Sequence, residues 1–213
     1  MDFDSQREEM LNHQLRRRGI RDERVLGAMR EIPREEFVPE VRHWAAYSDE
    51  PVAIGHGQTI SQPYITALMV QCLKLTGTET VLDVGSGSGY HAAVLGAVAA
   101  RVVSIEIIPE LAELARRNLE RTGRAHNIQV VCGDGSKGYP DLAPYDAISV
   151  GAGAPEAPPS LLEQLSDPGR LVIPVGPRDD QELLLFEKSA GEVNSRLVSF
   201  VRFVPLRGNE GWR

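Results

Sequence analysis

The sequence predicts a doubly wound α/β fold: a mostly parallel sheet, preceded by a helical region and closed by antiparallel C-terminal strands. Three observations lead there. From about residue 78, short apolar runs alternate with amphipathic helical stretches, the pattern of βαβ units. A glycine-rich turn leaves the first of these runs and enters a helix. The tail then carries two strand-like runs with too little chain between them for a crossover helix.

Taken in order, Ser5 followed by Glu8 is a capping-box pattern that opens a first helix. Met10, Leu11 and Leu15 form its apolar stripe and Gly19 its stop. Asp22 is placed to cap a second helix carrying Val25, Leu26 and Met29, which ends before Pro33. The run Arg16, Arg17, Arg18 reads as a solvated helix end that complements the dipole, ahead of the alternative of a binding patch. Ser61 precedes Gln62, Pro63 and the apolar pattern Ile65, Leu68, Met69, Cys72, where a serine is a good N-cap. The strands follow at Thr80–Val84, Arg101–Ile105, Ile128–Cys132, Asp146–Val150 and Leu171–Val175. Between the second and third, Leu111, Leu114, Ala115 and Leu119 share one helical face that Gly123 closes. Glu182–Glu187 and Leu197–Val204 make the antiparallel pair, with Gly191 between them.

The 213 residues fit a single domain, with 1–76 a helical and loop region and 77–213 the sheet core and its C-terminal strands. A net charge of -7 argues against a protein that lives on nucleic acid, where a basic face supplies most of the affinity. The longest near-unbroken apolar stretch, Ala92–Ala100, falls well short of the roughly 20 residues of a membrane span. The N-terminal residues carry acids and no apolar core of a secretory signal. Cys72 and Cys132 lie far apart without C-x-x-C pairing and read as small hydrophobes. The expectation is a cytoplasmic monomer without a membrane partner.

Asp83, Gly85, Ser86, Gly87 and Gly89 lie in the turn after the first strand, where such folds bind ligands at strand carboxyl ends. The glycines let backbone N–H groups approach a ligand, and the next helix offers its positive end. A dinucleotide fingerprint would need glycine at position 90, which is Tyr90. The departure suits a ligand that presents an amino-acid carboxylate instead of a pyrophosphate. Glu106, ending the second strand, is placed to accept hydrogen bonds from two ribose hydroxyls. Asp134, between Gly133 and Gly135 after the third strand, is placed to accept from an exocyclic adenine amine, or else is a turn residue. Together these predict an adenosine site with a methionine-like tail.

With those residues in place, the chain resembles the protein-L-isoaspartate (D-aspartate) O-methyltransferases, which are Rossmann-like S-adenosylmethionine-dependent enzymes. The most specific segment is Ile54–Pro63, which generic methyltransferases lack. Arg34 with Phe37–Pro39, the Asp83–Gly89 turn, Gly133–Gly135, Pro144–Asp146 and the tail Phe203–Leu206 follow in family order. The resemblance implies that Ser61 is the active-site residue. It implies that Gln58, Thr59, Ile60 and Gln62 line the acceptor and cofactor side, and that Val204 helps bind the isoaspartyl peptide backbone. It implies that Asp83, Gly85, Ser86, Gly87, Gly89, Glu106, Asp134 and Gly135 hold S-adenosylmethionine. The partners implied are isoaspartyl-containing proteins and peptides, repaired when the methyl ester cyclises to a succinimide and hydrolyses in part to normal aspartate.

The chemistry agrees with what the sequence lacks. A carboxylate acceptor with a pKa of roughly 3.5 to 4 is already ionised and needs no general base. The five histidines are scattered, with no pair at metal-ligand spacing on one element, and no nucleophile–base pair stands out. After the fourth strand, Gly151–Pro155 lacks the Asn/Asp-Pro-Pro-aromatic pattern of many amine methyltransferases. Three rivals stand beside this reading. They are a methyltransferase for a small molecule or RNA, a nicotinamide-dependent oxidoreductase, and an adenosine-binding protein without turnover.

Overall fold

In the computed structural model, which describes residues 2–212, the chain begins with helix α1, Phe3–Glu9. Asp2, not Ser5, is its N-cap: the Asp2 carboxylate accepts the Ser5 N–H at 3.3 Å. An aspartate standing before Ser5 satisfies the free N–H groups equally well, so the helix starts earlier than the capping-box pattern suggested. A π-turn over Met10–Leu15 buries Met10, Leu11 and Leu15, and a 3₁₀ turn ends at Gly19 with φ +92°. Helix α2, Glu23–Glu31, is capped by Asp22 and buries Val25, Leu26, Ala28 and Met29.

Within the Ile54–Pro63 motif, for which the sequence predicts no strand, and just before it, the chain forms a hairpin of β1, Val52–Gly55, and β2, Gln58–Ile60. His56 and Gly57 sit at its tip with φ +52° and +70°. Both are positive, as a two-residue type I′ turn requires. Helix α3, Pro63–Leu73, follows directly. Its N-cap is Gln62 and makes no side-chain cap bond, so Ser61 is not the cap expected of it. Pro63 accounts for the shift, because proline fits the first helical position and sets the boundary immediately before itself.

The alternation then runs as predicted: β3 Thr80–Val84, α4 Tyr90–Val98, β4 Arg101–Glu106, α5 Pro109–Arg121, β5 Ile128–Cys132 and β6 Tyr145–Val150. After α6, Pro159–Glu163, come β7 Leu165–Val175, β8 Gln181–Ser189 and β9 Glu192–Val201. They form one seven-stranded sheet in the order β5-β4-β3-β6-β7-β8-β9. The first five strands are parallel, and β8 and β9 are antiparallel to their neighbours. Strand β7 starts well before the predicted Leu171: Leu165, Gly169 and Arg170 pair with β6 or β8, while the polar residues 166–168 between them break the apolar pattern. Strand β9 stops at Val201, so Val204 lies beyond it in the tail.

Buried apolar residues cover both faces of the sheet. On one side the N-terminal helices share a continuous core with α3, α4 and the sheet, through Met29, Val70, Val94 and Val102. On the other, Leu82, Ile105, Ile148 and Leu161 form a second cluster. The chain leaves β3 toward β4 on one side and reaches β6 on the other, so the strand order reverses between β3 and β6. The open crevice of a doubly wound sheet lies at that switch point.

Candidate active site

The Asp83–Gly89 turn crosses the switch point. Gly85, Gly87 and Gly89 have φ of +96°, +53° and +92°, conformations a side chain would strain. The Gly85 N–H donates to the Ile105 carbonyl at 2.8 Å, and beside it the Gly151 N–H donates to the Val84 carbonyl at 2.8 Å. Glu106 is buried at the end of β4. Its two oxygens accept the Gly87 N–H at 2.9 Å and the Ile108 N–H at 3.0 Å. A carboxylate has about four acceptor sites, so two remain for a ligand.

Beneath the turn the register lines up three polar residues, Ser104, Asp83 and Ser149, on adjacent strands. Asp83 is fully buried, and its Oδ2 accepts the Ser104 hydroxyl at 2.6 Å. Its Oδ1 has no partner among the described residues. Burial pushes the carboxyl up to about 7, against a smaller lowering from the Ser104 hydrogen bond. His91 contacts the Ser149 hydroxyl at 2.8 Å, and burial pushes its imidazole down to about 4, so it is neutral at physiological pH. Ser86 and Ser104 hydroxyls lie 2.5 Å apart.

Asp134 is turned toward the protein. Its carboxylate accepts the Ser136 hydroxyl at 2.6 Å, the Ser136 N–H at 3.0 Å and the Asn209 N–H at 2.9 Å. Partial burial would raise its pKa, and these hydrogen bonds more than offset that and hold it below the usual carboxylate range. It thereby fastens the C-terminal segment over the end of β5. That segment also bonds Gly153 in both directions: the Gly153 N–H donates to Val204, and the Leu206 N–H donates to Gly153, each at 2.8 Å. The Trp212 indole donates to the same Gly153 carbonyl at 3.0 Å. Leu206 and Arg207 of that segment line the hollow beside Glu106 together with Ile107 and Ile108; Ile108 and Arg207 carry no signal in the sequence that marks them as lining residues. The tail motif Phe203–Leu206 was the available clue to part of it.

Three hollows adjoin at the crevice. The largest, about 450 Å³, is bounded by Ser61, Gln62 and Tyr64, by Phe200 and Val204 from the end of the chain, and by Arg18. A second lies along Gly85, Gly87, Glu106 and Gly135, with Gln58 on its rim. A third lies over Ser86, Ser88 and His91, against Ile60 and Ser61. Thr59 and Gly151 line all three. The Ser61 hydroxyl has no hydrogen-bond partner among the described residues and borders both the largest and the third hollow.

Ser61 is held by its backbone. Arg34, with no exposed surface, donates from Nη2 to the Ser61 carbonyl and from Nε to the Ala46 carbonyl, each at 2.7 Å. Its guanidinium stands 4.9 Å from the Tyr90 ring centroid, at the start of α4. One buried cation thus ties the Ser61 segment to the helix that follows the glycine turn. The sequence reading noted Arg34 but gave it no role.

The glycine cradle, the ribose-spaced Glu106 and the unpartnered Asp83 oxygen suit an adenosine ligand with a charged amino-acid tail, so S-adenosylmethionine fits the residues present. The chain matches the family model "Protein-L-isoaspartate(D-aspartate) O-methyltransferase (PCMT)" over residues 5–211. It is 53% identical over 208 residues to the protein-L-isoaspartate O-methyltransferase of Methanoculleus marisnigri, covering 98% of this chain and 94% of the relative. It is 54% identical over 213 residues to protein-L-isoaspartate O-methyltransferase 2 of Marinobacter nauticus, covering 99% and 97%. Its fold is similar to a Plasmodium falciparum protein-L-isoaspartate O-methyltransferase solved with S-adenosyl-L-homocysteine. There the TM-score is 0.81 at 29% identity, covering 98% of this chain and all of the other. On this evidence the chain is an S-adenosylmethionine-dependent methyltransferase and belongs to the protein-L-isoaspartate(D-aspartate) O-methyltransferase family.

Proposed function

We propose that the chain methylates the free α-carboxylate of L-isoaspartyl residues in damaged proteins, and the side-chain carboxylate of D-aspartyl residues, with Ser61 orienting the acceptor. The observation that carries this is the meeting of the three hollows at Thr59 and Gly151, with the uncommitted Ser61 hydroxyl on the acceptor side. S-adenosylmethionine supplies an electrophilic methyl group when bound. Gly85 and Gly87 would border it through their backbone, with Asp83 and Ser86 beneath its amino-acid end and Glu106 and Gly135 beside its nucleoside end, while Gly89 packs against Ala115 and acts by shaping the turn. In this reading Asp134 acts by fixing the wall behind the adenine and through any acceptor capacity its present bonds leave.

The chain's own task is alignment. A carboxylate arrives ionised, so no residue has to remove a proton from it. Holding its oxygen about 3 Å from the methyl carbon, in line and away from water, is worth several orders of magnitude in rate. Ser61 donates one hydrogen bond that aims the carboxylate without quenching it. Thr59, Gln62 and Val204 border the peptide around it, with Gln58 and Ile60 on the donor side of the same hairpin. Arg18, paired with Asp49 and stacked 3.5 Å from the Tyr64 ring centroid, sets a cation at the rim of the cleft an anionic acceptor enters.

No helix of the described residues is long and apolar enough to cross a membrane. We infer a cytoplasmic monomer that acts on proteins and peptides and not on nucleic acid, in line with its net charge of -7. The deciding experiment is a labelled methyl-transfer assay on one peptide carrying isoaspartate and the same peptide carrying aspartate. Strong labelling of the isoaspartyl form alone supports the assignment; equal labelling of both rejects it.

A further inference from the structure

The glycines around the crevice fall into two kinds. Most are required by the backbone or by packing. Gly85 and Gly89 have φ of +96° and +92°. A Cβ on Gly135 would lie 2.6 Å from a Val84 methyl, and one on Gly153 would lie 2.9 Å from the Gln181 side chain. Gly133 is free of both constraints but borders none of the three hollows; Gly151 is free of them and borders all three. Its φ lies outside the left-handed region, and a Cβ built on it would meet only the Gly85 and Val84 carbonyl oxygens, both at 3.5 Å. Those are ordinary contacts. Nothing in the fold requires glycine at this position.

Gly151 nevertheless stands at the switch point, the first residue after β6, with its N–H fixed to the Val84 carbonyl. It lines the acceptor cleft and both donor-side hollows, as among the other residues only Thr59 does, from the opposite element. We propose that Gly151 lacks a side chain for the substrate's sake: the space a Cβ would fill is the passage through which the acceptor carboxylate reaches the methyl group. The inference rests on the methyl-transfer reading above and deepens it. It makes residue 151 a specificity determinant, one that admits a flat, slim carboxylate on a short branch between Thr59 and the end of β3. A methyl group at 151 would stand between the two reactants, in ordinary contact with the Gly85 carbonyl oxygen and clear of Glu106 and of the rest of the glycine turn.

The test compares wild type with Gly151→Ala and Gly151→Val in three measurements. These are melting temperature, S-adenosylhomocysteine affinity by calorimetry, and kcat/KM on an isoaspartyl peptide. For Gly151→Ala the expected result is an unchanged melting temperature and homocysteine-product affinity, with kcat/KM down about 100-fold, the order of loss that a misplacement of about 1 Å causes. Gly151→Val loses more turnover. An alanine variant that turns over like wild type overturns the inference. So does one that unfolds, or one whose product affinity falls in step with kcat/KM. A wild type that binds the product but leaves the isoaspartyl peptide unmethylated fails at the functional reading instead, and removes the inference with it.

Discussion

Along the proposed donor wall, the groups that border the hollows are strand ends. Gly85, Glu106 and Gly151 follow or close β3, β4 and β6, and sheet register fixes the spacing of those strands. Along the acceptor wall, Thr59, Ser61 and Val204 come from a short hairpin, its exit and a tail, and long side chains brace them. Arg34 holds the Ser61 carbonyl, the Gln181 side chain accepts the Phe203 N–H at 2.7 Å, and Trp212 clasps Gly153. Backbone repetition makes one wall, and individual buried side chains make the other. Lesions in the two walls should therefore separate cofactor binding from peptide turnover.

The largest effect on turnover is expected from Arg34→Met. It leaves the Ala46 and Ser61 carbonyls unpaired, at about 1–3 kcal/mol each, partly offset by relief of a buried charge. Urea unfolding should show lower stability, and kcat/KM on an isoaspartyl peptide should fall far more than S-adenosylhomocysteine affinity. Equal losses would erase the distinction between the walls. The reciprocal lesion is Gly89→Ala. It forces a side chain into φ +92° and within 3.2 Å of the Ala115 carbonyl, a cost of about 1–2 kcal/mol. Calorimetry should show weakened product binding, while turnover at saturating donor survives.

Ser61→Ala removes one hydroxyl donor to the charged carboxylate and no helix cap. A drop of about 10-fold in kcat/KM with unchanged melting temperature is expected. Full retained activity would reject the orienting role. The smallest effect on turnover at saturating donor is expected from Asp83→Asn, which acts on donor affinity and, in the free protein, on stability against pH. The wild-type carboxyl is raised from 3.8 to about 7 in the fold, so the folded state favours its protonated form. Its contribution is complete below about pH 4 and is lost as pH rises toward 7. His91 acts in the opposite sense, its lowered imidazole costing stability as pH falls from 6.5 toward 4, but that is common to both proteins. The stability of wild type relative to Asp83→Asn should therefore decline between pH 4 and 7; a flat difference would show that Asp83 is not desolvated.

The same contrast explains what could be read from sequence. Strands β3 and β5 match their predicted bounds because buried parallel strands write themselves as short β-branched runs. The glycine turn was legible because positive φ selects glycine. The β1–β2 hairpin was not, because strands this short show no alternation and its turn uses His56 with Gly57, outside the usual Asn-Gly or Asp-Gly pattern. The opening of β7 was hidden by Ser166, Asp167 and Pro168, which interrupt the apolar pattern where the pairing with β6 jumps from Leu165 to Arg170. Arg34 was visible as a motif residue, but its bond to the carbonyl of Ser61 spans 27 positions and leaves no local pattern. The tail's return to Asp134 and Gly153 is equally non-local.

The central claim is that positioning replaces proton abstraction at the acceptor. Its most direct test is turnover against pH at saturating S-adenosylmethionine and isoaspartyl peptide. A level profile from about pH 6 to about pH 8 is predicted, since the acceptor is ionised throughout that range. A limb near the histidine pKa that vanishes when one histidine is replaced would contradict it.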